Sequence, residues 1–390
     1  MLNPARIEFA RVRRRWTKRR LAEALGVTTR AIQDYESGTY SPEPERLEQI
    51  AVLLRFPIQF FSGADLPRIS EQTASFRSMS KMSASLKESA LSAGALAFEL
   101  NSWIESRFNL PLADLPDLSD LSPEDAAATL RRIWGLGELP ISNMIHLLES
   151  KGIRVYSLAI EAKEVDAFSV WHQNTPFVFL NTFKSAERSR FDAGHELAHL
   201  IRDKHSMLHG NANSLGINID ADFDPEENAL LSKPSSPEME REANAFSSAF
   251  LMPRNSVVAH RPNLPTLPEL IKLKSIWGVS LAALVSRMNQ LGLLTEWTYR
   301  NLCIDIAKQG YRTQEPKGMR SETSQMLAKV FEALRGEGVK KSDIAAELSL
   351  LIEDLDVLTF GLTISGVSTN EPPELIHQSD SIKPSLSLVK

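Results

Sequence analysis

Two histidines stand four residues apart, with a glutamate between them, in "FDAGHELAHLIRDKHS", residues 191–206. On a helix, residues four apart share a face, so His195 and His199 can turn neutral imidazole nitrogens toward one ion. Glu196 lies about 100° round the helix, where it reaches a water beside that ion rather than the ion itself. This H-E-x-x-H spacing puts a Lewis acid and a proton carrier side by side. A metal held there would lower the pKa of its water toward about 7 and polarise a carbonyl, while Glu196 takes and delivers the proton. The chain has one cysteine, Cys303. That excludes an intrachain disulfide and any zinc site built from several thiolates, so the metal must be held by histidine and carboxylate.

A third ligand has three candidates. His205 has the metzincin spacing, but that pattern needs glycine where this chain has Arg202, because the backbone must leave the helix sharply. Glu240 and Glu242 lie downstream in "EMEREANAFSSAFLMP". A glutamate on a second helix is the gluzincin solution, and Glu240 shares a face with Asn244, four residues on, which could orient a ligating histidine. Glu242 points elsewhere and is the weaker choice. For a group that stabilises an oxyanion the candidates are His172, His205, His209 and Tyr156.

"HELAH" followed by "EREANAFSSAFLMP" resembles the ImmA/IrrE family, whose pattern is H-E-x-x-H and then E-x-x-A-N-x-F-A-x-x-L-L-x-P. Ser247 stands in place of an alanine and Phe250 in place of a leucine. The resemblance spans about residues 126–260 and implies a zinc metalloendopeptidase, gluzincin-like, with His195, His199 and Glu240 as ligands and Glu196 as general base. It also implies a protein substrate, a transcriptional repressor, cut to relieve repression.

The elements that must position these residues are read as follows. Residues 185–203 form the motif helix, after three strands in "IRVYSLA", "VDAFSVW" and "PFVFLN". Residues 204–237 form an irregular insertion. The helix of "SPEMEREANAFSSAFLMP" follows and ends at Pro253. Upstream, "LSAGALAFELNSWIESRF" predicts an amphipathic helix and "NLPLADLPDLSDLSPED" a boundary. The expected organisation is a helical head at 1–63, a connector at 64–125, a peptidase domain at 126–300, a helical region at 301–365 and a polar tail at 366–390. The fold class is mainly α with a small β-sheet, α+β.

The head carries a second pattern. Residues 11–20, "RVRRRWTKRR", hold seven Arg or Lys and no acid, in a chain whose net charge is −5. Contact with a polyanion should therefore be local. Thr17 and Thr28 cap two short helices that stop at Gly26 and Gly38. "TKRRLAEALGVTTRAIQDYESGTYSPEPERLEQIA" resembles the Xre/Cro helix-turn-helix family. That resemblance implies operator DNA as partner. Thr29, Arg30, Gln33 and Asp34 would face bases, and Lys18 and Thr28 would hold phosphates. Glu36 is expected to be structural, Trp16 to pack, and at most half of the arginines to meet DNA. A homodimer follows from half-site geometry.

No segment reaches the roughly 18–20 apolar residues of a membrane span, and a cytoplasmic protein is expected. The combined reading is a DNA-binding regulator with a zinc peptidase body. Its substrate is a separate repressor or the chain's own Ser-rich stretch at 70–90. The rivals are a non-proteolytic regulator or antitoxin, whose peptidase-like body serves as a sensor or partner-binding module, and a metal-sensing repressor.

Overall fold

The computed structural model describes residues 2–69, 74–75, 83–158, 167–202, 236–362 and 387–388. The head comprises α1 (Pro4–Arg13), α2 (Lys18–Leu25), α3 (Thr29–Ser37), α4 (Pro44–Leu54) and a 3-10 turn at Ile58–Ser62. There follow β1 (Ala74–Ser75), α5 (Ala84–Glu105), β2 (Phe108–Asn109), α6 (Pro123–Ile133) and α7 (Met144–Ser150). Then come β3 (Arg154–Ser157), β4 (Ala167–His172), β5 (Thr175–Leu180) and the motif helix α8 (Ala186–Arg202). Beyond the undescribed 203–235 lie α9 (Pro237–Leu251), α10 (Arg254–Ala259), α11 (Leu267–Leu273), α12 (Leu281–Gln290) and α13 (Glu296–Lys308). The chain closes with α14 (Gln325–Gly336), α15 (Lys341–Glu347), α16 (Ile352–Leu358) and β6 (Ser387–Leu388). This is a mainly α, α+β protein, as expected.

Local chemistry sets the boundaries. Thr17 accepts from the Arg20 amide and Thr28 from the Ala31 amide, so both predicted caps form. Gly26 takes φ +66° and ends α2 in the left-handed conformation that a Cβ disfavours. Pro44 opens α4, and Pro237 opens α9 behind the N-cap Ser236.

The sheet has the order β1-β4-β5-β3. β4 and β5 are an antiparallel hairpin, and β3 runs parallel to β5. The hairpin turns through Gln173 and Asn174, both at positive φ, 47° and 64°. Two successive positive φ values match the right-handed twist of the strands. β1 adds antiparallel to the other side of β4, and β6 pairs with β2.

Strand alternation makes this sheet a wall between two cores. Ala167, Val178, Leu180 and Val155 face α6–α9 and α12. Phe168, Val170, Phe177, Phe179 and Tyr156 face the other way, toward α5, the head and α14–α16. The expectation of an amphipathic α5 is corrected here. From Ser92 to Phe98 it is buried all round, because it lies between the head and the sheet. Its Gly/Ala/Ser-rich sequence, "LSAGALA", suits close approach on every side.

Candidate metal centre and nucleic-acid interface

α8 and α9 cross against each other behind the sheet and carry the centre. Packing is closest at Gly194, where an added Cβ would lie 2.6 Å from Ser247 Oγ. Ser247 Oγ in turn donates to the Phe191 carbonyl oxygen at 2.8 Å. This approach brings the N-terminal part of α9 to the motif histidines. His195 Nε2 and His199 Nε2 stand 3.0 Å apart. Glu240 places Oε2 3.2 Å from His195 Nε2 and Oε1 3.5 Å from His199 Nε2. The histidines are buried, at 1% and 0% exposure, while the Glu240 side chain keeps 16%. The histidines are therefore enclosed, and what exposure the cluster has lies on its carboxylate.

The donor set fits a zinc ion. Tetrahedral zinc with ligands at about 2.0–2.1 Å requires donor–donor edges of roughly 3.3–3.4 Å, close to the three spacings observed. Two imidazoles and one carboxylate also leave the fourth position that hydrolytic sites keep open. His195, His199 and Glu240 are the one group of at least three His, Cys, Asp or Glu that converges in this way among the described residues.

The other ligand candidates separate cleanly. Glu242 Oε2 accepts from Arg202 Nη2 at 2.8 Å, and Arg202 Nη1 also donates to the Leu121 carbonyl at 2.6 Å. Arg202, in the position where the metzincin pattern has glycine, is thus a brace between α8 and α9 that holds Glu242 away from the histidines. His205 and His209 lie outside the described residues. Asn244 Nδ2 donates to the Glu240 carbonyl oxygen at 2.7 Å, one turn back on its own helix.

Glu196 is 1% exposed. Ser169 Oγ, from β4, donates to its Oε2 at 2.8 Å and fixes the carboxylate beside the histidines. Sequence reasoning missed Ser169. Its signal was a small polar residue inside an apolar strand, on the face shared with Ala167 and Trp171. Gly194 was missed too, although a glycine inside a helix marks a close contact.

Two oxyanion candidates are corrected. Tyr156 and His172 lie on the opposite face of the sheet from α8. Tyr156 is enclosed there with Phe177 and Phe179, and its hydroxyl donates to Asn101 Oδ1 at 3.4 Å. His172 stacks on Phe98 at 4.0 Å. Alternation decides this, since both share the face of Phe168 and Val170. Burial raises the Tyr156 hydroxyl's pKa and lowers that of the His172 imidazole.

On the head, α3 presents Thr28, Thr29, Arg30 and Gln33 to solvent, with Asp34 half-buried beside them. Arg30 Nε lies 3.1 Å from Asp34 Oδ1. Thr28 spends its hydroxyl on the helix cap. Lys18 Nζ lies 3.3 Å from Glu36 Oε2, and Arg11 grips the same buried carboxylate through two nitrogens. Glu36 thus ties α1, α2 and α3 together.

Most of the basic run is structural. Arg14 donates through Nη1 and Nη2 to Asp354 at 2.7 Å each and also binds the Leu54 and Arg55 carbonyls. Arg13 lies largely buried beside Asp354, with 9% of its side chain exposed, and burial lowers its pKa. Arg20 covers the Trp16 ring at 4.2 Å. Ion pairing within the fold, rather than DNA, explains why Arg11, Arg13 and Arg14 are there.

Residues 7–61 match the helix-turn-helix family, and residues 148–289 match a peptidase family described as the IrrE N-terminal-like domain. No curated protein matches the chain. No helix among the described residues is long and apolar enough to cross a membrane.

Proposed function

From a chain that joins an Xre-type helix-turn-helix domain to an ImmA/IrrE-type peptidase domain, we propose a zinc-dependent endopeptidase that cuts a repressor-type protein and is itself a DNA-binding regulator. The observation that carries the reading is the convergence of His195, His199 and Glu240 beside a buried Glu196 held by Ser169. A pure scaffold has no use for Glu196 in that position, and burying a carboxylate is costly without a function to retain it.

His195, His199 and Glu240 would hold the ion. Zinc supplies Lewis acidity there, polarising a carbonyl and easing deprotonation of water. Glu196 accepts the proton of the attacking water and passes it to the departing amide nitrogen. Ser169 keeps the Glu196 carboxylate aimed during both transfers. The α8–α9 contact and the sheet exclude bulk water from behind. Operator DNA would be read by Thr29, Arg30, Gln33 and Asp34, with Lys18 and Thr28 near phosphates. Arg30 must leave Asp34 to reach a guanine edge.

Metal content and hydrolysis test this together. We expect about one zinc per wild-type chain and less than about a tenth of that for His195→Ala, His199→Ala and Glu240→Ala. Glu242→Ala should keep its zinc. Glu196→Gln should keep zinc and lose hydrolysis of β-casein by at least about a hundredfold. A wild-type chain that binds no metal refutes the enzyme. Binding to operator fragments should weaken in Arg30→Ala by about 1–3 kcal/mol with relaxed preference at one base. Affinity and base preference unchanged from the wild type in that variant would remove Arg30 from the reading surface.

A further inference from the structure

The edge of β4 that faces away from β5 carries β1. Ala74 stands opposite Val170 and Ser75 opposite Ser169, in antiparallel register. Ser169 is the residue whose hydroxyl holds Glu196. The backbone of Ser75 therefore runs one strand spacing, about 4.8 Å, from the strand that orients the proposed base. A sheet edge takes an extended peptide through main-chain hydrogen bonds. At this edge, the place beside the site is taken by the chain itself.

We propose that residues 74–75 act as a built-in occupant of a strand-binding edge on β4, and that the partner that displaces them is an extended segment of the protein substrate. This deepens the peptidase reading and rests on it for the nature of the displacing partner. The backbone is tethered on both sides, at Ile69 and at Ser83, the N-cap of α5. A tethered strand competes at an effective concentration on the order of millimolar. A weakly pairing substrate is therefore kept out, and one with a better strand or a second contact gains entry. The two N–H groups of adjacent strand residues point to opposite edges, so proline at both positions removes the ladder donor whichever residue supplies it.

The test compares full-length, zinc-loaded Glu196→Gln chains with and without Ala74→Pro and Ser75→Pro, so that no probe is cut. Hydrogen exchange in residues 167–172 should rise at least about tenfold in the proline chain, because β4 amides lose their partners. A fluorescein-labelled peptide of residues 70–80 should bind the proline chain at least about tenfold more tightly than its parent. Unchanged exchange with equal peptide binding overturns the proposal. Faster exchange without peptide binding overturns it too, since the edge then accepts no strand. With Glu196 restored, β-casein hydrolysis should rise about tenfold in the proline chain. A chain that shows the exchange and binding differences yet never hydrolyses casein refutes the peptidase and leaves the strand occupancy standing.

Discussion

At the scale of single residues, the proposed centre depends on groups outside the His195–His199–Glu240 cluster. Ser169 holds Glu196 with one hydrogen bond in a buried setting. Ser169→Ala should lower kcat about tenfold with zinc content unchanged, measured by metal analysis beside casein hydrolysis. Loss of zinc would instead make Ser169 a structural residue. Gly194 sets how near α9 can come. Gly194→Ala should cost about 1–3 kcal/mol, because the new methyl meets Ser247 Oγ at 2.6 Å. Ser247→Ala alone should cost about 1 kcal/mol for the bond to Phe191. Combined, the two should be less harmful than their sum, since removing Oγ vacates the space the methyl needs. Denaturant titration of the four chains measures this, and strict additivity would mean that the two positions do not share a contact.

Among elements, the helices of the head and the motif helix were legible because their signals are local. Thr17, Thr28 and Gly26 mark ends by capping chemistry, and His195 to His199 is a spacing on one helix. The meeting of Glu240 with His195 and His199 across α8 and α9 was reachable only through the pattern of the second helix, because pairing across elements leaves no periodic trace. Ser169 left a visible trace, a polar residue in an apolar strand, but its role depends on which face of β4 meets α8. The second face of α5 was misread as exposed, because a helix rich in Gly, Ala and Ser can pack on all sides without looking strongly hydrophobic. The start of α14 carries a further cross-element device. Glu149, from α7, accepts from the Gln325 amide at 3.0 Å and the Met326 amide at 2.9 Å, and also from the Ser324 hydroxyl. Burial pushes its carboxyl from 4.5 up to about 7, against the pull of those donors. The folded state then binds this proton more tightly than the unfolded one. Its contribution is complete below about pH 4.5 and is lost as pH rises through about 7, amounting to about 3 kcal/mol at most. Thermal melts between pH 5 and 8 should show this downward slope in the wild type and a flatter one in Glu149→Gln. Equal slopes would place the ionised form in the folded protein throughout.

For the molecule as a whole, the sheet is the common boundary of two cores. One side buries the helices that carry His195, His199 and Glu240, and the other joins α5 to the helix-turn-helix head and to α14–α16. Arg14 and Asp354 clasp the head to the last helix from positions 340 residues apart in sequence. This clasp has a consequence for what a cut can achieve. A break between Ile69 and Ser83 severs the covalent thread but leaves the clasp and the shared core in place. The two fragments should travel as one particle in native size exclusion and part only in denaturant. Release of a free head at neutral pH would mean that the clasp is too weak to hold. If the nicked particle persists, proteolysis at that point cannot by itself detach the DNA reader, and any signal it sends must pass as a change of shape rather than as the departure of a piece.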